Sequence, residues 1–453
     1  MNQNEFDRVA MTFATFHKEF APLFGRKESQ QRSEQYVRGL LVQQTDRRNA
    51  ENIAEAIDHA TPRALQRLLT DAPWSTEPII DRLQEFLGAR LNTPDGVFVV
   101  DESGFPKQGN KSVGVAPQYC GVLGKVANCQ VGVFLAYVSE RGHALVDKRL
   151  YLPEKWTNDA ERCRGAAVPE GIPFQTKAEL GLAMLRRARA AGHLTGKWIT
   201  ADENYGQVPS FRDALDAEGW WYVLEVPSCT TVFERPLATL LPERAQDGRP
   251  LNRWHLLRQG IHPQSVGAMA AKLAAKDWQV LTVAEGAQGP RRYQFAAVRV
   301  WESREGMPGR ECWLMLRRNV DGSELKYYFS NAPASTPLLT LGQVGAMRWP
   351  IETEFQTGKG ETGLDEYEVR SWPGWQHHIT LAMLAGAFLL SVQQDWGKKG
   401  APVDAATDQP GAAGVAATTH MDTRRPAAVA GRHAAPKRTR QTVTRQASPQ
   451  QVA

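Results

Sequence analysis

Two apolar runs end in an aspartate. Gly96-Val97-Phe98-Val99-Val100 stops at Asp101, and Lys197-Trp198-Ile199-Thr200-Ala201 stops at Asp202. Such runs read as buried strands, and in layered α/β sheets ligands gather beyond the carboxyl ends of strands. One apolar run ending in Asp is common; two on neighbouring strands bring two carboxylates together. Two aspartates hold a divalent cation weakly, and a two-metal site for phosphoryl transfer wants a third carboxylate. Hard cations such as Mg²⁺ prefer these oxygen ligands and keep several waters, which leaves room for a substrate phosphate.

The third carboxylate is sought in Met347-Arg348-Trp349-Pro350-Ile351-Glu352-Thr353-Glu354-Phe355, which continues to Lys359. On a helix, Arg348, Glu352 and Lys359 share one face. Two readings stay open. The plain one is a surface ion-pair stripe. The functional one puts Glu352 on metal, with Arg348 and Lys359 on nucleic-acid phosphates. Pro350 would kink a helix running through Arg348 but is tolerated in a first turn. The helix is then expected to begin after Arg348, leaving only Glu352 and Lys359 on a common face.

Other residues near these positions carry weaker signals. Lys107 and Lys111 lie in a glycine-containing loop after Asp101, either within reach of DNA or simply solvated. Glu203 and Glu354 neighbour the proposed ligands and are expected to point elsewhere. His377-His378 is expected on the surface of a helix start. Trp198, Trp220, Trp221 and Trp313 read as core; for Trp349 and Trp372, core and stacking on an unpaired base are both open.

These side chains need elements to hold them. Residues 1–92 read as helical, with segments Ser33–Val42 (Ser33 as its cap), Asn49–Ala60 and Pro62–Thr70. That region is either a DNA-binding head or a packing domain. Strand-like runs follow at Cys129–Val138 and Ala144–Leu152, then a helix over Lys177–Ala191, the Asp202 strand, a helix over Pro209–Glu218 and a strand over Trp220–Val226. This order predicts an α/β fold with a mixed sheet. Residues 227–335 are β-rich, with one helical stretch at Val266–Lys276. A helical region broken by glycines runs from Leu338 to Trp396.

The 453 residues are 42% hydrophobic and 23% charged, enough for a sizeable core, which excludes a disulfide-stapled miniprotein and a wholly disordered chain. The longest apolar run, Ile379–Val392, is too short to span a membrane, and no secretory signal is expected at the start. Five scattered cysteines fit neither a disulfide framework nor a CxxC zinc site, which predicts a reducing cytosol. The net charge of +5 is misleading. From Gly397 onward there are nine Lys/Arg against three Asp/Glu and no aromatic residue, so 397–453 reads as a disordered basic Ala/Pro/Arg tail. The rest is close to neutral, so bulk charge alone does not argue for nucleic-acid binding.

The blocks DESGFPKQGNKSVGVAPQYCGVLGKVANCQVGVFL, YLPEKWTNDAERCR, TADENYG, YYFSNAP and RWPIETEFQTGKGETGLDEYEVRSWPGWQHHITLAMLA resemble the transposases of the insertion-sequence 701 family, within the wider insertion-sequence 4-like Asp-Asp-Glu (DDE) group. The likeness runs from Asp101 to Trp396. It implies an RNase H-like mixed-sheet catalytic core at 93–226 and 336–396, with a β-rich insertion at 227–335. It implies Asp101, Asp202 and Glu352 as catalytic, metal-binding residues holding two Mg²⁺, with Mn²⁺ able to substitute. Arg348 and Lys359 match the Arg and Lys of the group's Tyr-Arg-Glu-Lys signature, while its Tyr falls on Gly345, a departure. Asn204 in TADENYG replaces a commoner small residue. The partners implied are double-stranded DNA (terminal inverted repeats and target) and a second copy in a homodimeric complex, in the bacterial cytoplasm at the nucleoid. Two rivals share these residues: a DNA-binding regulator of transposition without turnover, and a metal-dependent nuclease without strand transfer.

Overall fold

The computed structural model describes residues 3–42, 47–240, 255–257, 260–285 and 289–397. The chain opens with helices α1 (Gln3–Phe20), α2 (Lys27–Leu40), α3 (Ala50–Ala56), α4 (Pro62–Thr70) and α5 (Thr76–Leu91). Local chemistry sets several of their starts. Asn49 Oδ1 accepts the N–H groups of Glu51 and Asn52 to begin α3, and Thr61 with Pro62 begins α4. Ser33 caps nothing: α2 starts at Lys27, and Ser33 is buried within it, 2.9 Å from His17 Nε2.

The sheet begins with β1 (Val97–Pro106), β2 (Ala116–Cys120), β3 (Lys125–Ser139) and β4 (Gly142–Leu150). Short helices α6 (Glu154–Thr157) and α7 (Ala160–Gly165) lead to α8 (Lys177–Ala191), which opens on a Thr176/Glu179 capping box. Next come β5 (Trp198–Ala201), α9 (Glu203–Gly206), α10 (Pro209–Ala217) and β6 (Trp221–Val226). Short strands β7 (Thr231–Phe233), β8 (Thr239–Leu240), β9 (His255–Leu256) and β10 (Gln264–Ser265) precede helix α11 (Val266–Ala270). Longer strands follow: β11 (Gln279–Ala284), β12 (Arg291–Arg304), β13 (Met307–Asn319) and β14 (Lys326–Ser330). Helices α12 (Leu338–Ala346), α13 (Trp349–Thr362) and α14 (Trp372–Gly397) end the described chain.

The sheet is mixed, as the order of elements predicts. Strands β1, β5 and β6 run parallel, β3 is antiparallel to β1, and β4 is antiparallel to β3. On the far side of β6 the same sheet continues antiparallel through β14, β13 and β12, so the β-rich stretch extends the sheet that holds both aspartates.

Helix α14 is the spine of the packing. It lies against α1, α2, α4, α5, α13 and β4. Its apolar run is buried by these neighbours; Phe388, for example, meets Phe13 and Phe16 at ring distances of 5.1 and 5.5 Å. Each large side chain so buried contributes about 1.5–3 kcal/mol. Among the described residues no helix is long and apolar enough to cross a membrane. His377 and His378, expected at the surface, are buried under the first helices. His377 stacks on Trp74 at 3.8 Å, and His378 takes the hydroxyl of Tyr36 on Nδ1 at 2.9 Å while Nε2 meets Gly363 O at 3.0 Å. The expected disordered tail falls at 397–453; beyond Gly397, the last residue of α14, it lies outside the described residues.

Candidate active site

Strands β1 and β5 pair in parallel from Val97↔Trp198 to Val100↔Ala201 and then part. Asp101 and Asp202 are the next residues on either side. Contrary to the sequence expectation, β1 does not end at Asp101. Its antiparallel pairing with β3 runs on from Asp101↔Phe134 to Pro106↔Cys129, so Asp101 sits mid-strand on a ladder that only one neighbour continues. Asp202 leaves its strand as the N-cap of α9, accepting the Asn204 N–H on Oδ1 and the Asn204 side-chain amide on Oδ2, each at 3.0 Å. Asn204, the departure in TADENYG, therefore orients this carboxylate. Gly206 ends α9 so close to β6 that a Cβ there would lie 1.9 Å from Glu225 O, which fixes the α9 turn against that strand.

Helix α13 begins at Trp349, with Pro350 in its first turn, and Arg348 is its N-cap. The expectation that Arg348 would leave the shared face is corrected. Its backbone is already helical (φ −71°, ψ −35°), so its side chain reaches Glu352 one turn on, and the proline removes only an N–H that a first turn leaves unpaired. Arg348 Nη2 stands 2.8 Å from Glu352 Oε1, and Nη1 stands 2.9 Å from Asp101 Oδ2. One guanidinium thus ties the helix to the strand. The helix also runs unbroken through Gly358 and Gly360 to Thr362.

A further carboxylate, Glu225, belongs to the same group. The β5–β6 register ends at Ala201↔Leu224, which brings Glu225 level with Asp202, and Arg348 Nε lies 4.0 Å from Glu225 Oε2. Lys326 on β14 pairs with it at 2.9 Å. Sequence reasoning missed Glu225; its signal was an acid near the end of the apolar run Trp221–Val226, legible only once the parallel register is known. Glu102, on the alternate face of β1, binds Lys177 Nζ at 2.5 Å and the Tyr205 hydroxyl at 3.4 Å.

The electrostatics follow from this crowding. Burial, reinforced by the charges of Asp202 and Glu102 and opposed by Arg348, pushes the Asp101 carboxyl up to about 7. Burial also raises Asp202, with Glu102 adding to it. Burial works against the charge of Arg348, but Asp101, Glu352, Glu225 and Asp202 together hold it above the usual arginine value.

The remaining predicted residues fall as follows. Lys359 rests against β1, its Nζ 3.5 Å from Gly104 O, and burial lowers its pKa. Lys107 folds back onto Tyr367, 3.2 Å from its carbonyl and 3.6 Å over its ring, and burial brings it down to about 8. Lys111 is exposed in the loop between β1 and β2. Glu354 points away from the site to His143 Nδ1 on β4, at 2.6 Å. Among the described residues no three His, Cys, Asp or Glu side chains converge closely enough to hold an ion as placed. The donor set nevertheless fits a hard divalent cation: Asp101, Asp202 and Glu352 are all oxygen ligands, and a positive group, the Arg348 guanidinium, already bridges two of them.

Residues 19–290, well over half of the chain, match the DDE superfamily endonuclease family. The chain belongs to that family. The matched span contains Asp101 and Asp202 and ends before Glu352. The chain is also 22% identical over 339 residues, covering 75% of it and 77% of the relative, to the probable transposase for insertion sequence element IS701 of Microchaete diplosiphon. This agrees with the family resemblance carried by the sequence blocks. Among solved structures, the NurA nuclease of Sulfolobus solfataricus aligns over 69% of the chain and 87% of its own length, at 10% identity and a TM-score of 0.24.

Proposed function

We propose that this DDE-family protein is a transposase that cleaves DNA strands at the ends of an insertion sequence and joins them to target DNA. The observation that carries the proposal is the level placement of Asp101 and Asp202 where β1 and β5 part, with Glu352 drawn to them through Arg348. The strand sequence β4-β3-β1-β5-β6, with β1, β5 and β6 parallel, supports an RNase H-like core built from 93–226 and 336–396. In this layout 1–92 is a helical N-terminal domain, 227–335 an insertion and 397–453 an appended tail.

Asp101, Asp202 and Glu352 would hold two divalent ions, Mg²⁺ or Mn²⁺, whose chemistry when bound is to activate the attacking hydroxyl and stabilise the leaving 3′-oxygen. The protein's own side chains supply position and charge. Asp101 is held by its strand ladder and by the Glu102 N–H, 2.7 Å from Oδ1. Asp202 is held by Asn204. Arg348 offers a cationic group beside the carboxylates and Lys359 one further along β1, at Gly104 O, where they can meet DNA phosphates near the scissile bond. Cleaving two element ends together calls for a dimer on DNA, working at the nucleoid.

A strand-transfer assay tests the proposal. Purified full-length chain with Mg²⁺ and a duplex carrying the flanking inverted repeats should give both cut ends and joined products. Cutting without joining would reduce the protein to a nuclease, and DNA binding without cutting would reduce it to a regulator.

A further inference from the structure

We propose that Arg348 is an internal counter-ion that occupies the cation site of the free protein, so that a divalent ion must displace its guanidinium before the site can load. This rests on the metal-dependent chemistry proposed above. Three observations carry it. First, the guanidinium uses two different nitrogens on two different proposed ligands, Nη1 on Asp101 Oδ2 at 2.9 Å and Nη2 on Glu352 Oε1 at 2.8 Å. Second, both oxygens of Asp101 are engaged, since Oδ1 accepts the Glu102 N–H; a cation binding Asp101 through Oδ2 therefore meets the arginine there. Third, Arg348 is largely enclosed, its side chain 18% exposed, whereas Glu352 is 51% exposed. The arginine fills the gap between strand and helix and leaves its partner open to solvent.

The exchange is chemically balanced. Asp101 and Glu352 both pair directly with this one guanidinium. A divalent ion replaces one positive charge with two and frees a planar donor suited to bidentate phosphate contact. Glu225, 4.0 Å from Nε, remains as a partner for the displaced side chain. The free protein is thereby kept from loading metal readily before a phosphate is present to receive Arg348.

The test reads metal binding directly. Mn²⁺ is titrated into full-length, DNA-free protein at pH 8, and bound ion is measured from the loss of the free aqueous Mn²⁺ electron-spin signal. Arg348→Gln should bind Mn²⁺ about tenfold more tightly than the wild type. Arg348→Lys, which keeps the charge but has no fork to span two carboxylates, should fall between and serves as the readout if the Gln variant does not fold. Asp101→Asn should lose binding. Equal or weaker binding in both Arg348 variants, with binding lost in Asp101→Asn, would overturn the counter-ion role and leave the metal site standing. Asp101→Asn binding like the wild type would overturn the metal site itself, and the counter-ion role with it.

Discussion

Val100 lies opposite Ala201 in the parallel pairing of β1 with β5, and this is the last rung the two strands share. Asp101 and Asp202 follow directly, one continuing along a strand and the other turning into a helix cap. The site is therefore made at a fork, where two neighbouring strands stop hydrogen-bonding and their next side chains crowd each other.

Neutralising either aspartate, or Glu352, should abolish cleavage. Asp101→Asn, Asp202→Asn and Glu352→Gln should each lower the cleavage rate by roughly 10²-fold or more, the scale on which positioned charge acts in a reaction. Asp101→Asn and Asp202→Asn should not lower the melting temperature at neutral pH, because burial already disfavours both charges. Glu352→Gln removes a half-exposed pair with Arg348 and should change it little. Glu354→Gln should cut normally, since Glu354 pairs with His143 instead. A dead Glu354→Gln beside an active Glu352→Gln would transfer the role.

Stability should depend on pH through Asp101. Its folded pKa, about 7, stands above the ordinary 3.8, so the folded chain binds this proton more tightly than the unfolded chain. Its contribution to stability is full below about pH 4 and is lost as the pH rises towards 7. Urea midpoints measured between pH 5 and 8 should fall more steeply for the wild type than for Asp101→Asn. Parallel curves would mean that Asp101 titrates normally.

Lys359 is expected to hold DNA rather than organise metal. Its ammonium lies against Gly104 O, three residues along β1 from Asp101. Lys359→Ala should weaken duplex binding and slow cutting, with a shallower salt dependence of affinity. The Mg²⁺ concentration giving half-maximal cutting on saturating DNA should stay the same; a large shift would place Lys359 in the metal site's own support.

His378 should be worth more than its position in a helix start suggests. It links α14 to Tyr36 of α2 and to Gly363 at the end of α13. His378→Ala leaves a buried hydroxyl and a carbonyl without partners and should cost about 2–4 kcal/mol in urea unfolding. A loss below 0.5 kcal/mol, on the scale of ordinary surface changes, would show that the link is dispensable.

Much of the site was legible because its strands are buried on both faces and so read as unbroken apolar runs. What stayed hidden depended on partners far away in sequence. Strand β1 continues through Glu102-Ser103-Gly104 because β3 pairs with it there, a fact absent from those residues themselves. Glu225 joins the site only through the β5–β6 register. His377 and His378 looked like surface because the helices that cover them lie some three hundred residues earlier. Arg348 kept its helical face despite Pro350 because N-terminal backbone groups have no intrahelical partner to lose.

The fork has a mechanical consequence. Asp101 is clamped along a hydrogen-bonded ladder that extends five residues past it, while Asp202 hangs on the cap of a four-residue helix. The site thus rests on two different supports, a strand ladder on one side and a short helix turn pinned to β6 at Gly206 on the other. Because each carboxylate is positioned by a different element, substitutions that loosen the α9 turn from β6 will blur the alignment of the cut without unfolding the sheet.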